Sequence, residues 1–120
     1  MVETLAKRLH EKWLREHADE GDEANTGFDE LPEEWKVENR AAAGIVTDIL
    51  MDHDGKVNLD DPEVYDRVGR LVHGAWLARN TGDEREPGQE VRFEDLPQEE
   101  KDKDISQIRT GEEVFKELFL

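Results

Sequence analysis

A chain of 120 residues makes one compact domain with a single modest core, burying roughly 70% or less of its unfolded surface. Lys and Arg number 16 against 32 Asp and Glu. The resulting net charge of -16 repels phosphate backbones and anionic membranes at long range and argues against nucleic acid as a bulk partner. The absence of cysteine removes disulfides, thiolate chemistry and Cys-based zinc sites.

Hydrophobic residues make up 35% and charged residues 40%, toward the disordered side of the globular range, but three Trp, four Phe and periodic aliphatics argue for folding. Carboxylates spread along the whole chain read as a solvated surface. The longest apolar run, Ala41 to Val46, is too short to span a bilayer, and the N-terminus lacks a signal-peptide core. A cytoplasmic protein without a membrane partner is the expectation.

In chain order, Val2, Leu5, Leu9 and Trp13 recur at spacings of three and four and predict an amphipathic helix over 1–17. An acidic, Gly-containing loop follows. Leu31-Pro32 with Glu33 and Glu34 then opens a second helix whose stripe is Ile45, Val46, Ile49 and Leu50. Residues 52–61 are a polar linker. Asp60-Asp61-Pro62 opens a third helix over 62–80, an Asp serving as cap and Pro suiting the first turn, with Val64, Val68, Leu71/Val72, Ala75 and Trp76 along it. After another acidic loop, Leu96-Pro97 starts the last helix, with Ile105, Ile108, Val114, Phe115 and Leu118 as its apolar side. Short extended segments are expected at Glu90-Val91-Arg92-Phe93 and Thr26-Gly27-Phe28. The expected fold is mainly α with minor β.

The chain repeats itself. Leu9-His10-Glu11-Lys12-Trp13-Leu14 is answered 63 residues later by Val72-His73-Gly74-Ala75-Trp76-Leu77. Phe28-Asp29-Glu30-Leu31-Pro32-Glu33-Glu34-Trp35-Lys36 is answered 65 residues later by Phe93-Glu94-Asp95-Leu96-Pro97-Gln98-Glu99-Glu100-Lys101. Two helix-loop-helix repeats, 1–51 and 62–120, related by an approximate two-fold, form a single domain in this reading.

Few residues invite chemistry. Residues 50–61 have the cadence of an EF-hand loop, with Asp52, Asp54, Gly55 and Asp61 at positions 3, 5, 6 and 12, but Leu50 stands where the first carboxylate is needed. An Asx/Gly turn before a capped helix is the plainer reading. His10, His17, His53 and His73 lack the i, i+4 spacing of a metal helix. The only serine, Ser106, lies on a helix, no Gly-rich phosphate loop follows a strand, and no carboxylate pair stands out among so many. Neither a metal, a cofactor nor catalysis is expected.

The symmetric tryptophans are the distinctive feature. Trp13 and Trp76 each follow a histidine by three residues near a helix end, and two-fold-related helices that face one another set both indoles at one cleft. Parallel aromatic plates hold a planar base with ~1–3 kcal/mol per stacked contact. The alternative is that both indoles are core. Asn39 and Asp104, at equivalent positions three residues after Lys36 and Lys101, are candidates to present polar groups to the same cleft.

His-x-x-Trp followed by Phe-x-x-Leu-Pro-x-x-x-Lys-x-x-Asn/Asp resembles the ryanodine receptor repeat, over nearly the whole chain and best from Phe93 to Asp104. Neither segment 16–21 nor 80–84 carries the Gly-Trp-x-Tyr-Gly of family members. The resemblance implies a purine-nucleotide or nucleoside site between paired repeats. Carried over, Trp13 and Trp76 flank the base beside His10 and His73, with Asn39 and Asp104 as polar neighbours. The net charge disfavours a polyphosphate unless Lys36, Arg40, Lys101 or Arg109 lines the mouth. The competing reading is a protein-protein interaction module.

Overall fold

The computed structural model describes residues 1–16, 27–80 and 92–120. Among them four helices carry the architecture: α1 (Val2–Glu16), α2 (Glu33–Asp52), α3 (Pro62–Asn80) and α4 (Gln98–Phe119). Among the described residues no helix is long and apolar enough to cross a membrane. The central pair, α2 and α4, pack on each other, and each also packs against both α1 and α3.

Each second helix is introduced by the same local structure. Phe28–Glu30 and Phe93–Asp95 are single 3-10 turns, closed by hydrogen bonds from the Leu31 amide to Phe28 O and from the Leu96 amide to Phe93 O, both 3.1 Å. A residue before proline is driven out of the helical region, and Leu31 (φ -66°, ψ 149°) and Leu96 (φ -72°, ψ 149°) are extended accordingly. The following prolines then accept the first helical bonds, from Trp35 and Lys36 to Pro32 O and from Glu100 and Lys101 to Pro97 O, at 3.0–3.2 Å.

These turns correct the expectation of short strands. Among the described residues there is no strand: the extended backbone at each turn is the one residue before it and the Leu-Pro pair after it. The cause is burial. Phe28 and Phe93 are 6% and 1% exposed, and a three-residue turn drives each ring inward, Phe28 against His10 and Phe93 against Tyr65 and Gly69. Thr26, Glu90 and Val91, the rest of the expected strands, lie outside the described residues, as do His17 and the loop segments 17–21 and 81–84.

Leu5 and Ala6 of α1, Ala43, Val46, Ile49 and Leu50 of α2, Val68 and Val72 of α3, and Ile105, Ile108 and Val114 of α4 form one continuous core. Complete burial of a Leu or Val side chain contributes about 1.5–3 kcal/mol. Leu71 and Leu118, expected on apolar stripes, are instead about half exposed. α4 approaches α2 closely at Gly111, where an added Cβ would stand 2.5 Å from Val46 Cγ1 and 2.7 Å from Leu50 Cδ1.

The 52–61 linker terminates α2 through two residues of positive φ, Asp54 (53°) and Gly55 (82°), with the Gly55 amide reaching back to Leu50 O at 2.7 Å. Asp61 Oδ1 then accepts the Glu63 amide at 3.0 Å, capping the start of α3. Leu50 itself is wholly buried in α2, far from the role of a calcium ligand.

Two forked ion pairs tie α1 in place: Arg40 of α2 grips Glu3 at 2.9 and 3.0 Å, and Arg8 grips Glu117 of α4 at 3.1 and 2.7 Å. The hydrogen bonds from these arginines hold both carboxyls below the usual glutamate range.

Overpacking the crossing is expected to cost about 1–3 kcal/mol in Gly111→Ala. Gly74→Ala, on a helix face with nothing within 4 Å of the new Cβ, is expected to gain about 0.5–1 kcal/mol. Chemical denaturation of the two variants measures both signs.

Acid should weaken the α1 clasps. A carboxyl depressed by folding binds fewer protons when folded than when unfolded, so its contribution is complete above the ordinary glutamate range and lost as pH falls through the depressed one. Melting temperature against pH should therefore drop less steeply in acid for Glu3→Gln and Glu117→Gln than for the unsubstituted protein. Equal slopes would remove this account.

Candidate functional site

Trp13 lies three residues before the end of α1, and Trp76 four before the end of α3. Both line one cleft of about 290 Å³ together with Glu38, Asn39, Ala42 and Ile45 of α2, Val72 and Arg79 of α3, and Gln107 of α4. All four helices contribute. On α2 the spacing 38/39, 42, 45 is one helical face, and Ala42 and Gln107 occupy equivalent positions in the two repeats.

The histidines sit behind the tryptophans. His10 and His73 are 3% and 2% exposed, whereas both indoles are only partly buried. His10 stacks on Trp13 with ring centroids 5.9 Å apart and planes 13° from parallel; His73 stacks on Trp76 at 5.9 Å and 11°. A residue three positions away on a helix is a neighbour on the same face, so His-x-x-Trp produces this stack within one helix. Each imidazole, fixed in the core, sets the plane of its indole. The Asp104 carboxylate lies 3.4 Å from His73 Nδ1 and fixes that ring further.

Asn39 and Asp104 therefore take different places despite their equivalence in sequence. Asn39 lines the cleft, its Nδ2 donating to Trp35 O at 3.0 Å, which leaves its Oδ1 as an acceptor. Asp104 stands at His73 and is not among the lining residues. Gln107 supplies a second carboxamide.

The charged rim departs most from expectation. None of Lys36, Arg40, Lys101 and Arg109 lines the cleft. Arg40 is held by Glu3 and Glu33 and covers the Phe28 ring, and Lys101 covers the Phe93 ring at 5.6 Å. Among the described residues the cation at the cleft is Arg79, three residues after Trp76 and so on the same face of α3. It forms a two-pronged bridge to Glu38 across the repeats, Nε to Oε2 at 3.0 Å and Nη2 to Oε1 at 3.1 Å. The one-turn spacing Trp76 to Arg79 was the available sequence signal.

Among the described residues no group of three His, Asp or Glu is arranged to hold a metal ion. The cleft offers two partly buried indoles, two carboxamides, an apolar floor of Ala42, Ile45 and Val72, and one internally neutralised ion pair. Such a surface suits a flat ring with polar edges.

Acrylamide quenching reads the setting of the indoles. Trp35, 39% exposed, is first replaced by Phe. The Trp35→Phe protein should then show quenching intermediate between free indole and a buried standard, and Trp13→Phe and Trp76→Phe should each remove a comparable share. Complete protection would place the rings in a sealed core.

Comparison with known protein families, curated proteins and solved structures finds no match to this chain.

Proposed function

We propose that this protein is a non-catalytic binding module of the cytoplasm that holds a planar, nucleotide-like ligand between Trp13 and Trp76. The observation that carries the reading is the shared cleft, lined by both indoles and backed by two near-identical His-Trp stacks. Stacking on an aromatic plate contributes ~1–3 kcal/mol per base, and a plate whose plane is already fixed loses little entropy on binding. Asn39 and Gln107 are placed to read the polar edge of such a ring. The resemblance of the duplicated His-x-x-Trp and Phe-x-x-Leu-Pro segments to the ryanodine receptor repeat supports a purine as that ring, and supports reading the chain as two repeats around one site.

A protein-interaction role is the second reading. The exposed apolar end of α4, where Leu118, Phe119 and Leu120 are 46%, 54% and 89% exposed, favours it.

Titration with adenosine, followed by Trp fluorescence and calorimetry, tests the first reading. Quenching with one site per chain is expected, and Trp13→Ala and Trp76→Ala should each weaken binding by ~1–3 kcal/mol. Adenine compounds that neither quench nor bind would leave the interaction module as the surviving reading.

A further inference from the structure

We infer that the cleft selects the unphosphorylated form of its ligand, a free base or nucleoside over the corresponding nucleotide, and that Glu38 sets this selectivity by holding Arg79. The inference rests on the reading of the cleft as a site for a planar ring, and adds the charge class that the site accepts.

A phosphate is bound by uncommitted cations, by free backbone amides at a helix N-terminus, or by a nest of loop amides. Among the described residues Arg79 is the cation at the cleft, and the Nε–Nη2 side of its guanidinium is engaged by the Glu38 carboxylate at 3.0 and 3.1 Å, which neutralises its charge. The pair is partly buried, with side chains 24% and 42% exposed, so an incoming phosphate must compete with a carboxylate already in place. In the other repeat the equivalents of Glu38 and Arg79 are Lys103 and Glu16. Lys103 bonds Glu100 at 3.1 Å and does not line the cleft.

Among the described residues, free backbone donors are equally absent from the lining. Trp13, Glu38, Asn39, Ala42, Ile45, Val72, Trp76, Arg79 and Gln107 all lie beyond the first turn of their helices, where each amide is bonded to the carbonyl four residues earlier. The helix ends nearest the tryptophans are the C-termini of α1 and α3, which carry partial negative charge. The chain's net charge of -16 adds a long-range field of the same sign. The helix termini and the net charge oppose an anion, the engaged Arg79 and the bonded amides offer it little in return, and none of these terms opposes an uncharged ring.

Calorimetric titration of the full chain with adenosine, AMP and ATP, at low and at high salt, tests the inference. Adenosine is expected to bind at least about tenfold more tightly than AMP at low salt, ATP more weakly still, with the gap narrowing as salt screens the repulsion. Glu38→Gln frees Arg79 and should raise AMP affinity relative to adenosine by about tenfold, the scale of one charge-assisted hydrogen bond. In Arg79→Gln the AMP-to-adenosine ratio should not fall. AMP binding as tightly as adenosine in the unsubstituted protein, or a selective loss of AMP in Arg79→Gln, overturns the selectivity while leaving the ring site standing. Failure of all three compounds to bind overturns the ring site and the selectivity together. Circular dichroism of both variants confirms that each is folded before its ratio is read.

Discussion

The close approach of α2 and α4 is the constraint on which the remaining geometry depends. At Gly111 the α4 backbone comes within side-chain contact of Val46 and Leu50, and Leu5 of α1 reaches the same point. With no Cβ there, the two central helices approach as backbone against side chain rather than side chain against side chain, which brings both outer helices onto a common floor. Both α1 and α3 rest on that floor, and their tryptophans reach the same cleft because of it. A wider crossing would separate Ala42 from Gln107, and with them the two walls.

Placement of the indoles is then a matter of what lies behind them. A tryptophan at a helix end has rotamer freedom and little packing to oppose it. Here each is stacked on an imidazole that is itself buried in the core, and the two stacks agree to within 2° in interplanar angle. The same motif, read twice, yields the same local geometry, because its determinants are i, i+3 spacing and one buried ring rather than any long-range contact.

That locality explains what was legible in the sequence. The helices, an Asp cap before Pro62 and the Leu-Pro helix starts all follow from residues within a turn of one another, while the His-x-x-Trp spacing was legible and the ring stack it produces was not. Phe28 and Phe93 carry the aromatic signature of an edge strand, whereas the extended backbone after each is confined to the Leu-Pro pair and the ring is buried by a 3-10 turn. The charged rim was not legible at all. Which basic residue reaches the cleft depends on the rotation of α3 against α2, and periodicity within a single helix carries no information about that angle. Arg40 and Lys101 had equally good claims from sequence and went to phenylalanine faces and to Glu3 instead.

Duplication also imposes its own demand for divergence. Where two equivalent helices cross, equivalent positions meet, and position 46 of α2 lies against its counterpart 111 of α4. Two valines there would occupy one volume, so one member has to be small, and the chain has Val46 with Gly111. Charge differs at the rim as well: Glu38 bonds Arg79, and the positions that answer them in sequence carry the opposite signs, Lys103 and Glu16. The two halves keep the same helix-opening turn and the same His-Trp stack, while the side chains at the crossing and the rim differ. The cleft is accordingly lined unequally: Ala42 lines it from α2, and the residue that answers it in sequence, Gln107, lines it from α4.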